Sequence, residues 1–335
     1  MKPDKKYITI SDNLKHITKL IDELVLLPRL KALEWSQLTK QTPNMKIGYP
    51  GQHLASLVVG MVGSKTGARG HDIVDGSEVK SCSRVDASDK CKDCGEKLLR
   101  TETLCPVCGS DNIARDNTSK WLFTIRSEAD LKLLTQNVKR VLLVLADYPN
   151  FDKDDYEDIR FQVFEIWTNS PRCKAFKATM IDYYKNVYLS HKKLDGAKTP
   201  APQNFWPYDY RFYKCNPIKT FSCLVKNANT KPKIVIETYV EPATDRSALP
   251  SEIMPTQLAK KEEFITMIGK APEKAIKKNL VKGKSYNDFL KLVKDERFSL
   301  KAVLEFMPTI DEDLREFLPI RPAKPFSIAT KHVRR

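Results

Sequence analysis

Asp72-Ile73-Val74-Asp75-Gly76-Ser77-Glu78-Val79-Lys80 is the stretch on which the fold turns. Asp75-Gly76 is a hairpin signal, and the runs beside it, His71 to Val74 and Ser77 to Arg84, read as extended. A two-residue turn would pair Ile73 with Glu78 and send Asp72 to the opposite face, because facing residues of an antiparallel ladder share a side. A three-residue loop, Val74-Asp75-Gly76 with Gly76 left-handed, pairs Asp72 with Glu78 instead and puts Asp72, Glu78 and Lys80 on one face. Two carboxylates and the Val79 carbonyl so arranged supply hard oxygen ligands for Mg²⁺, while Lys80 can orient or help deprotonate a water beside a phosphate. Taken alone the motif is cheap: acid-x-Lys recurs at Asp4-Lys5-Lys6 and Asp130-Leu131-Lys132, and a solvated hairpin with an ion pair is the commoner meaning. The surrounding sequence reverses that preference.

Upstream, Pro50 to Val62 reads as a buried helix ending at Gly63, and Ser64 to Gly70 as a basic, glycine-containing loop. Downstream, Lys120 to Arg126 is extended, Ser127-Glu128-Ala129-Asp130 caps a helix to about Lys139, and Val141 to Leu145 is apolar enough for a central strand. With residues 86–118 set aside as an insertion, 50–146 reads αβββαβ, an α/β (α+β) core in which the hairpin belongs to the sheet. Residues 1–49 form a helical region, with Ser11-Asp12-Asn13 capping a helix of face Leu14, Ile17, Ile21, Leu24 and Val25 that Pro28 interrupts, and a second helix from Arg29 to about Thr39. Ile159 to Trp167, Ile218 to Val225 and Lys233 to Val240 are further strands, Ser170-Pro171 opens a helix, and from about Thr256 the pattern is helical. The expected domains are thus 1–49, a core at 50–255 carrying the insertion, and a helical region at 256–335.

The insertion holds Cys91-x-x-Cys94 and Cys105-x-x-Cys108, each knuckle followed by glycine, Gly95 and Gly109. Four thiolates at this spacing match a tetrahedral structural Zn²⁺ site of the zinc-ribbon type, with iron the rival metal. All four positions would be filled by protein, so the ion folds the insertion and leaves no open coordination for chemistry. The other four of the eight cysteines, Cys82, Cys173, Cys215 and Cys223, lack such pairing and read as buried thiols.

The αβββαβ order with Asp72…Glu78-Val79-Lys80 resembles the PD-(D/E)xK nuclease superfamily, and in particular type II restriction endonucleases. The run EVKSCSRVD (78–86) leading into a four-cysteine ribbon and then SKWLFTIRS (119–127) is most similar to the MamI-like restriction enzymes. The resemblance implies a restriction-endonuclease-like fold and a sequence-specific, Mg²⁺-dependent endodeoxyribonuclease, a hydrolase leaving 5′-phosphate and 3′-hydroxyl ends. It implies Asp72, Glu78 and Lys80 as catalytic residues, Mg²⁺ held by Asp72, Glu78 and the Val79 carbonyl, and a cognate DNA methyltransferase as functional partner. His71 stands where the superfamily has proline, and only five residues separate Asp72 from Glu78, which leaves Asp72 or Asp75 as the first ligand. Gln52 and Asp75 are candidate supports of the site, and Lys65 and Arg69 candidate contacts to DNA phosphate. His71 is expected to face away from Asp72 and to pack.

Fifty-seven Lys+Arg against 42 Asp+Glu give the 335-residue chain a formal charge of +15, which favours a polyanion. Between Lys260 and Lys301 the excess is 12 to 6, on helices suited to DNA contact or dimerisation. No apolar run of membrane-spanning length and no apolar leader is seen, so a bacterial or archaeal cytoplasmic protein without membrane association is expected. Cutting both strands of double-stranded DNA at a symmetric site is most simply done by a homodimer. Two other readings remain open. An HNH nuclease suits the cysteine knuckles but lacks histidines in place, since only His191 and His332 follow Cys94. A non-catalytic zinc-ribbon DNA- or RNA-binding protein needs only the charge and the ribbon. The aromatic cluster Trp206, Tyr208, Tyr210, Phe212 and Tyr213 suits base stacking or, more commonly, packing.

Overall fold

A computed structural model describes residues 1–65, 71–194, 200–295 and 297–323. The chain forms a mixed α/β fold in two compact units. The first comprises Met1–Leu122, Gln136–Trp167 and Lys219–Leu249; the second comprises Phe123–Thr135, Thr168–Ile218 and the described residues from Pro250 on.

The first unit is built on a five-stranded sheet. Its strands are β1 (Glu78–Ser83), β5 (Val141–Asp147), β6 (Ile159–Ile166), β7 (Ile218–Lys226) and β8 (Lys233–Tyr239), in the order β1-β5-β6-β7-β8. The three short strands that fall between β1 and β5 in sequence, β2 (Asp89–Cys91), β3 (Lys97–Leu98) and β4 (Ile113–Ala114), make a separate sheet in the order β3-β2-β4. Strand β5 is buried at all seven positions, which is why its sequence is a continuous apolar run and not an alternating one. It pairs in parallel with β1 and antiparallel with β6. Strand β1 is therefore a sheet edge, with Glu78 opposite Val141 and Lys80 opposite Leu143.

Helices α1 (Asn13–Ile21), α2 (Leu27–Thr39) and α3 (Gly48–Val59) bring Ile17, Ile21, Val25, Leu54 and Val58 into one core with Val79, Val144, Phe161 and Val225 from the sheet. Pro28 does not interrupt the first helix. A π-turn, Asp22–Leu26, joins α1 to α2, and its wider register accommodates the missing N–H of a proline at the start of α2. Of the expected apolar face, Ile17, Ile21 and Val25 are buried, whereas Leu14 and Leu24 are exposed. Helix α3 ends at Gly60, left-handed at φ +68°, three residues before the expected Gly63. Arg29 of α2 reaches inward, donating from Nε and Nη2 to the two carboxylate oxygens of Asp86 at 2.7 and 2.8 Å.

Helix α3 lies so close to β1 at Gly51 that a Cβ there would overlap Ser81 Oγ and stand 2.9 Å from Ser81 Cβ. The hydroxyl can rotate away but the Cβ cannot, so the overlap outweighs the helix-propensity gain of about 1 kcal/mol that alanine otherwise brings. Gly51→Ala is expected to destabilise the protein by about 1–2 kcal/mol, read as a lower urea midpoint.

The sheet departs from the αβββαβ expectation. Residues 71–74 form no strand: Ile73 makes an isolated bridge to Gly63, Ser64 N–H donates to the Asp72 carbonyl, and Val74 N–H to the Val62 carbonyl. Trp121–Phe123 is extended but lies outside the five-stranded sheet. Of that stretch only Glu78–Ser83 and Val141–Asp147 enter the sheet.

In the second unit, Phe123, Phe176, Phe205 and Phe212 pack edge to face at 5.5–6.5 Å between ring centres, and Tyr210 and Tyr213 are buried, so this part of the aromatic cluster is core. The helices Lys261–Lys270, Glu273–Asn279 and Tyr286–Lys294 follow, with Phe264 edge-on to Phe289 and Phe306 tilted against Phe289. Lys270, Lys274, Lys282, Lys284, Lys291 and Lys294 are exposed on these helices and the loops between them. Among the described residues no helix is long and apolar enough to cross a membrane.

Candidate active site

The turn before β1 closes with Gly76 N–H donating to the Ile73 carbonyl at 3.0 Å, and Gly76 has φ +88°, the left-handed conformation expected of it. The N–H groups of Asp72 and Ile73 both reach the Ser77 carbonyl, at 3.0 and 3.1 Å. Asp72 is consequently not the cross-strand partner of Glu78. Its carboxylate crosses to the edge of β1 and accepts the Val79 N–H on Oδ2 at 2.7 Å, while Oδ1 accepts from Gln52 Nε2 of α3 at 3.1 Å. In an extended residue the N–H and carbonyl point to the same side, so the Val79 carbonyl also faces this open edge. Glu78 and Lys80, two apart on the strand, share a face, and Lys80 Nζ donates to Glu78 Oε1. The structure thus brings Asp72, Glu78, Val79, Lys80 and Gln52 together at one end of the sheet edge.

Burial raises the Glu78 carboxyl above its ordinary value, and the charge of Asp72 raises it further, against the opposing pull of Lys80 and His71. A half-buried carboxylate disfavoured as an anion, beside a second carboxylate, is a donor set a hard divalent cation would satisfy. His71, expected to face away and pack, lies within electrostatic reach of Glu78, because the segment that carries it pairs with residues 62–64 and not with β1.

Asp75 occupies a different environment. It is buried, with Oδ1 accepting the Ser77 N–H at 3.0 Å and Oδ2 accepting from Arg140 Nη2 at 3.1 Å. Arg140, wholly buried, also donates from Nε to Ser77 Oγ at 2.8 Å and pairs with Glu165, which pairs in turn with Arg246. Burial would raise Glu165, but the two guanidiniums hold it below the usual carboxylate range. The Arg140 carbonyl accepts the Glu78 N–H at 3.0 Å, so the network clamps the base of β1 as well as the turn. Asp75 is thus buried and ion-paired to Arg140, whereas Asp72 is half-buried and meets uncharged donors, the Val79 N–H and the Gln52 amide. The sequence reading missed this network. Its one sequence signal is Glu165 inside the largely apolar strand Ile159–Ile166, since a buried carboxylate there needs a buried cation.

Lys65 is exposed and left-handed at φ +57°, while Arg69 lies outside the described residues.

The four sulfurs of Cys91, Cys94, Cys105 and Cys108 lie within 4.8 Å of one another, with Cys91 to Cys108 at 3.6 Å and Cys94 to Cys105 at 3.5 Å. A tetrahedral site with metal–sulfur bonds of about 2.3 Å has sulfurs roughly 3.8 Å apart, so the cluster fits a four-thiolate zinc site with little adjustment. The knuckles match each other: Gly95 and Gly109 are left-handed at φ +80° and +72°, Gly95 N–H donates to the Cys91 carbonyl, and Gly109 N–H to the Cys105 carbonyl. The Cys94 N–H, aimed at the Cys91 sulfur, lowers that thiol to about 7. Cys94, although the Glu96 N–H favours its thiolate, is pushed to about 12, with Cys105 the largest opposing influence. One thiolate is tolerated and more are resisted, a conflict that a bound cation removes. The sheet β3-β2-β4 carries the cluster and is tied to the rest of the first unit through Arg100, which meets buried Asp89 at 3.1 Å and lies over the rings of Phe151 and Tyr156 at 5.1 and 4.9 Å. Cys82, Cys173, Cys215 and Cys223 are buried free thiols, as expected.

The chain is similar to the type II restriction enzyme MamI of Microbacterium ammoniaphilum, 39% identical over 56 residues, 17% of this chain and 18% of that protein. The match thus spans under a fifth of that relative's length. No solved structure matches. The family model of the MamI restriction endonuclease matches residues 34–257, which include α3, the turn, β1, the four-cysteine cluster and the rest of the five-stranded sheet. The chain belongs to the MamI restriction endonuclease family.

Proposed function

We propose that the protein is a type II restriction enzyme, a sequence-specific, Mg²⁺-dependent endodeoxyribonuclease that hydrolyses both strands of double-stranded DNA to 5′-phosphate and 3′-hydroxyl ends. The observation that carries this reading is the Asp72 carboxylate drawn to the Val79 N–H at the open edge of β1, beside Glu78 and Lys80, in a chain of this family. Asp72, Glu78 and the Val79 carbonyl would hold Mg²⁺, with Gln52 fixing the rotamer of Asp72. When bound, the ion supplies Lewis-acid polarisation of the phosphodiester and a lowered pKa for an attacking water. Lys80, oriented by Glu78, directs a positive charge at the scissile phosphate and at the water in line with the leaving 3′-oxygen. The cluster of four cysteines holds Zn²⁺ and braces the insertion at 86–118. Lys65 and Arg69, in the basic loop that precedes the turn in sequence, and the basic helices after Thr256 contact DNA phosphates. One catalytic site per chain makes a homodimer the working form, in a bacterial or archaeal cytoplasm beside a methyltransferase that protects the same sequence.

Incubation with mixed-sequence plasmid, with Mg²⁺ and separately with EDTA, tests the reading. Discrete Mg²⁺-dependent fragments carrying 5′-phosphate ends are expected. Retarded but uncut DNA under both conditions would show a binding protein without catalysis and sink the proposal.

A further inference from the structure

The continuous helical segment 13–39 has two apolar faces, and only one of them is covered by the described residues of the chain. The inner face holds Ile17, Ile21 and Val25 in the core and is locked by the Arg29–Asp86 pair. On the outer face Leu24, Leu27, Trp35 and Leu38 are 49%, 51%, 63% and 75% exposed. A solvated helix face carries polar side chains, and four large apolar groups in one line on a rigidly held helix mark an interaction surface. Lys31 stands at the middle of the line, ion-paired to Glu34 of the same helix at 3.0 Å.

The line reads the same in both directions. Leu24 and Leu38 are each seven residues from Lys31, and Leu27 and Trp35 are each four. A second copy laid antiparallel across a two-fold axis at Lys31 therefore sets Leu24 against Leu38 and Leu27 against Trp35, twice over. The same axis sets Lys31 beside Lys31 of the other copy, with Glu34 of each copy within one helical turn of both lysines, so the two like charges at the centre are flanked by two carboxylates. Each exposed side chain offers on the order of 100 Å², so the eight remove about 800 Å² from water. The stems of Pro28, Lys31 and Glu34 add to this, approaching the roughly 1,200 Å² at the lower end of stable interfaces. We infer that the stripe Leu24, Leu27, Trp35, Leu38 is the surface through which two copies of this chain associate. A second copy fits better than an unrelated partner because the pattern is complementary to itself. The inference names the surface of the dimer proposed above and rests on that reading only for the use of the dimer in cutting two strands.

Sedimentation of the full chain over a concentration series tests it. The wild-type chain is expected at twice its mass of 38.4 kDa, and Trp35→Glu and Leu38→Glu are each expected to raise the dimer dissociation constant about 30-fold or more, with unchanged circular dichroism and unfolding midpoint. Lys31→Glu is expected to weaken the dimer, and Lys31→Glu with Glu34→Lys to restore it. A wild-type monomer at tens of micromolar, or a dimer indifferent to the glutamates, would overturn the inference. Nicking of supercoiled plasmid by the monomeric variants, with and without Mg²⁺, reports separately on the nuclease reading. If neither wild type nor variants nick DNA while the glutamates still dissociate the dimer, the nuclease reading fails and the surface stands.

Discussion

Glu78→Ala and Lys80→Ala are each expected to lose DNA cleavage by at least about 1,000-fold while retaining DNA binding, because what they remove is catalytic charge and not the basic surface that holds the duplex. Glu78 and Lys80 share a face of an edge strand and touch each other, so neither variant opens the core. Asp72→Asn belongs with them. Its amide can still meet Gln52 or the Val79 N–H, but the second negative charge is gone. Asp75→Asn, three residues away, is expected to behave differently. Its charge compensates buried Arg140, and removing one partner of a buried pair costs about 3 kcal/mol, toward the lower end for such losses because Glu165 still faces the guanidinium. Urea unfolding and a plasmid cleavage assay run on all four variants separate the two classes. Retained cutting by Glu78→Ala or Lys80→Ala removes this site from consideration. A stability loss in Asp72→Asn equal to that in Asp75→Asn would assign both acids to the scaffold.

Removal of a single thiolate from the four-cysteine cluster is the second large effect. Purified protein is expected to contain about one zinc per chain, and Cys105→Ser to contain little. Cys91 and Cys105 are the two buried ligands, so their loss exposes the interior of the module as well as the metal position. The module has only Cys91, Leu98 and Cys105, with Ile113 against them, as its apolar core. Structural zinc in small domains is worth about 10 kcal/mol or more, which three short strands cannot replace. Trypsin is therefore expected to cut Cys105→Ser rapidly at Lys92 or Lys97, and wild type only after chelation. The disturbance should reach the rest of the first unit through Arg100, whose guanidinium depends on Asp89 of β2 and on the rings of Phe151 and Tyr156. Full metal content in Cys105→Ser would refute the cluster as the zinc site, and iron in place of zinc would be evident from thiolate-to-iron absorption in the visible.

The sequence by itself determined whatever depends on local spacing. Two Cys-x-x-Cys-Gly knuckles close around one centre because the glycines supply the left-handed turns, and neither knuckle needs the rest of the fold to do so. Val141–Asp147 is legible as a central strand because a run apolar on both faces has few other fates. The extended run that carries Glu78 and Lys80 was legible in the sequence, but its place at a sheet edge was not, since the hairpin reading gave it a neighbour at 71–74. What tertiary structure alone decided is which polar group answers which. A hairpin rule pairs Asp72 with Glu78, but the segment 71–74 found its backbone partners in residues 62–64 and in the Ser77 carbonyl, and Asp72 was left to reach the Val79 N–H with its side chain. Asp75 and Asp72 look interchangeable in sequence. They are separated by Arg140, 65 residues beyond Asp75, because a buried guanidinium takes the carboxylate that lies beneath the turn and leaves the other at the sheet edge. Long-range pairing of charges follows from which buried groups must be neutralised, and that is known only once the chain is packed.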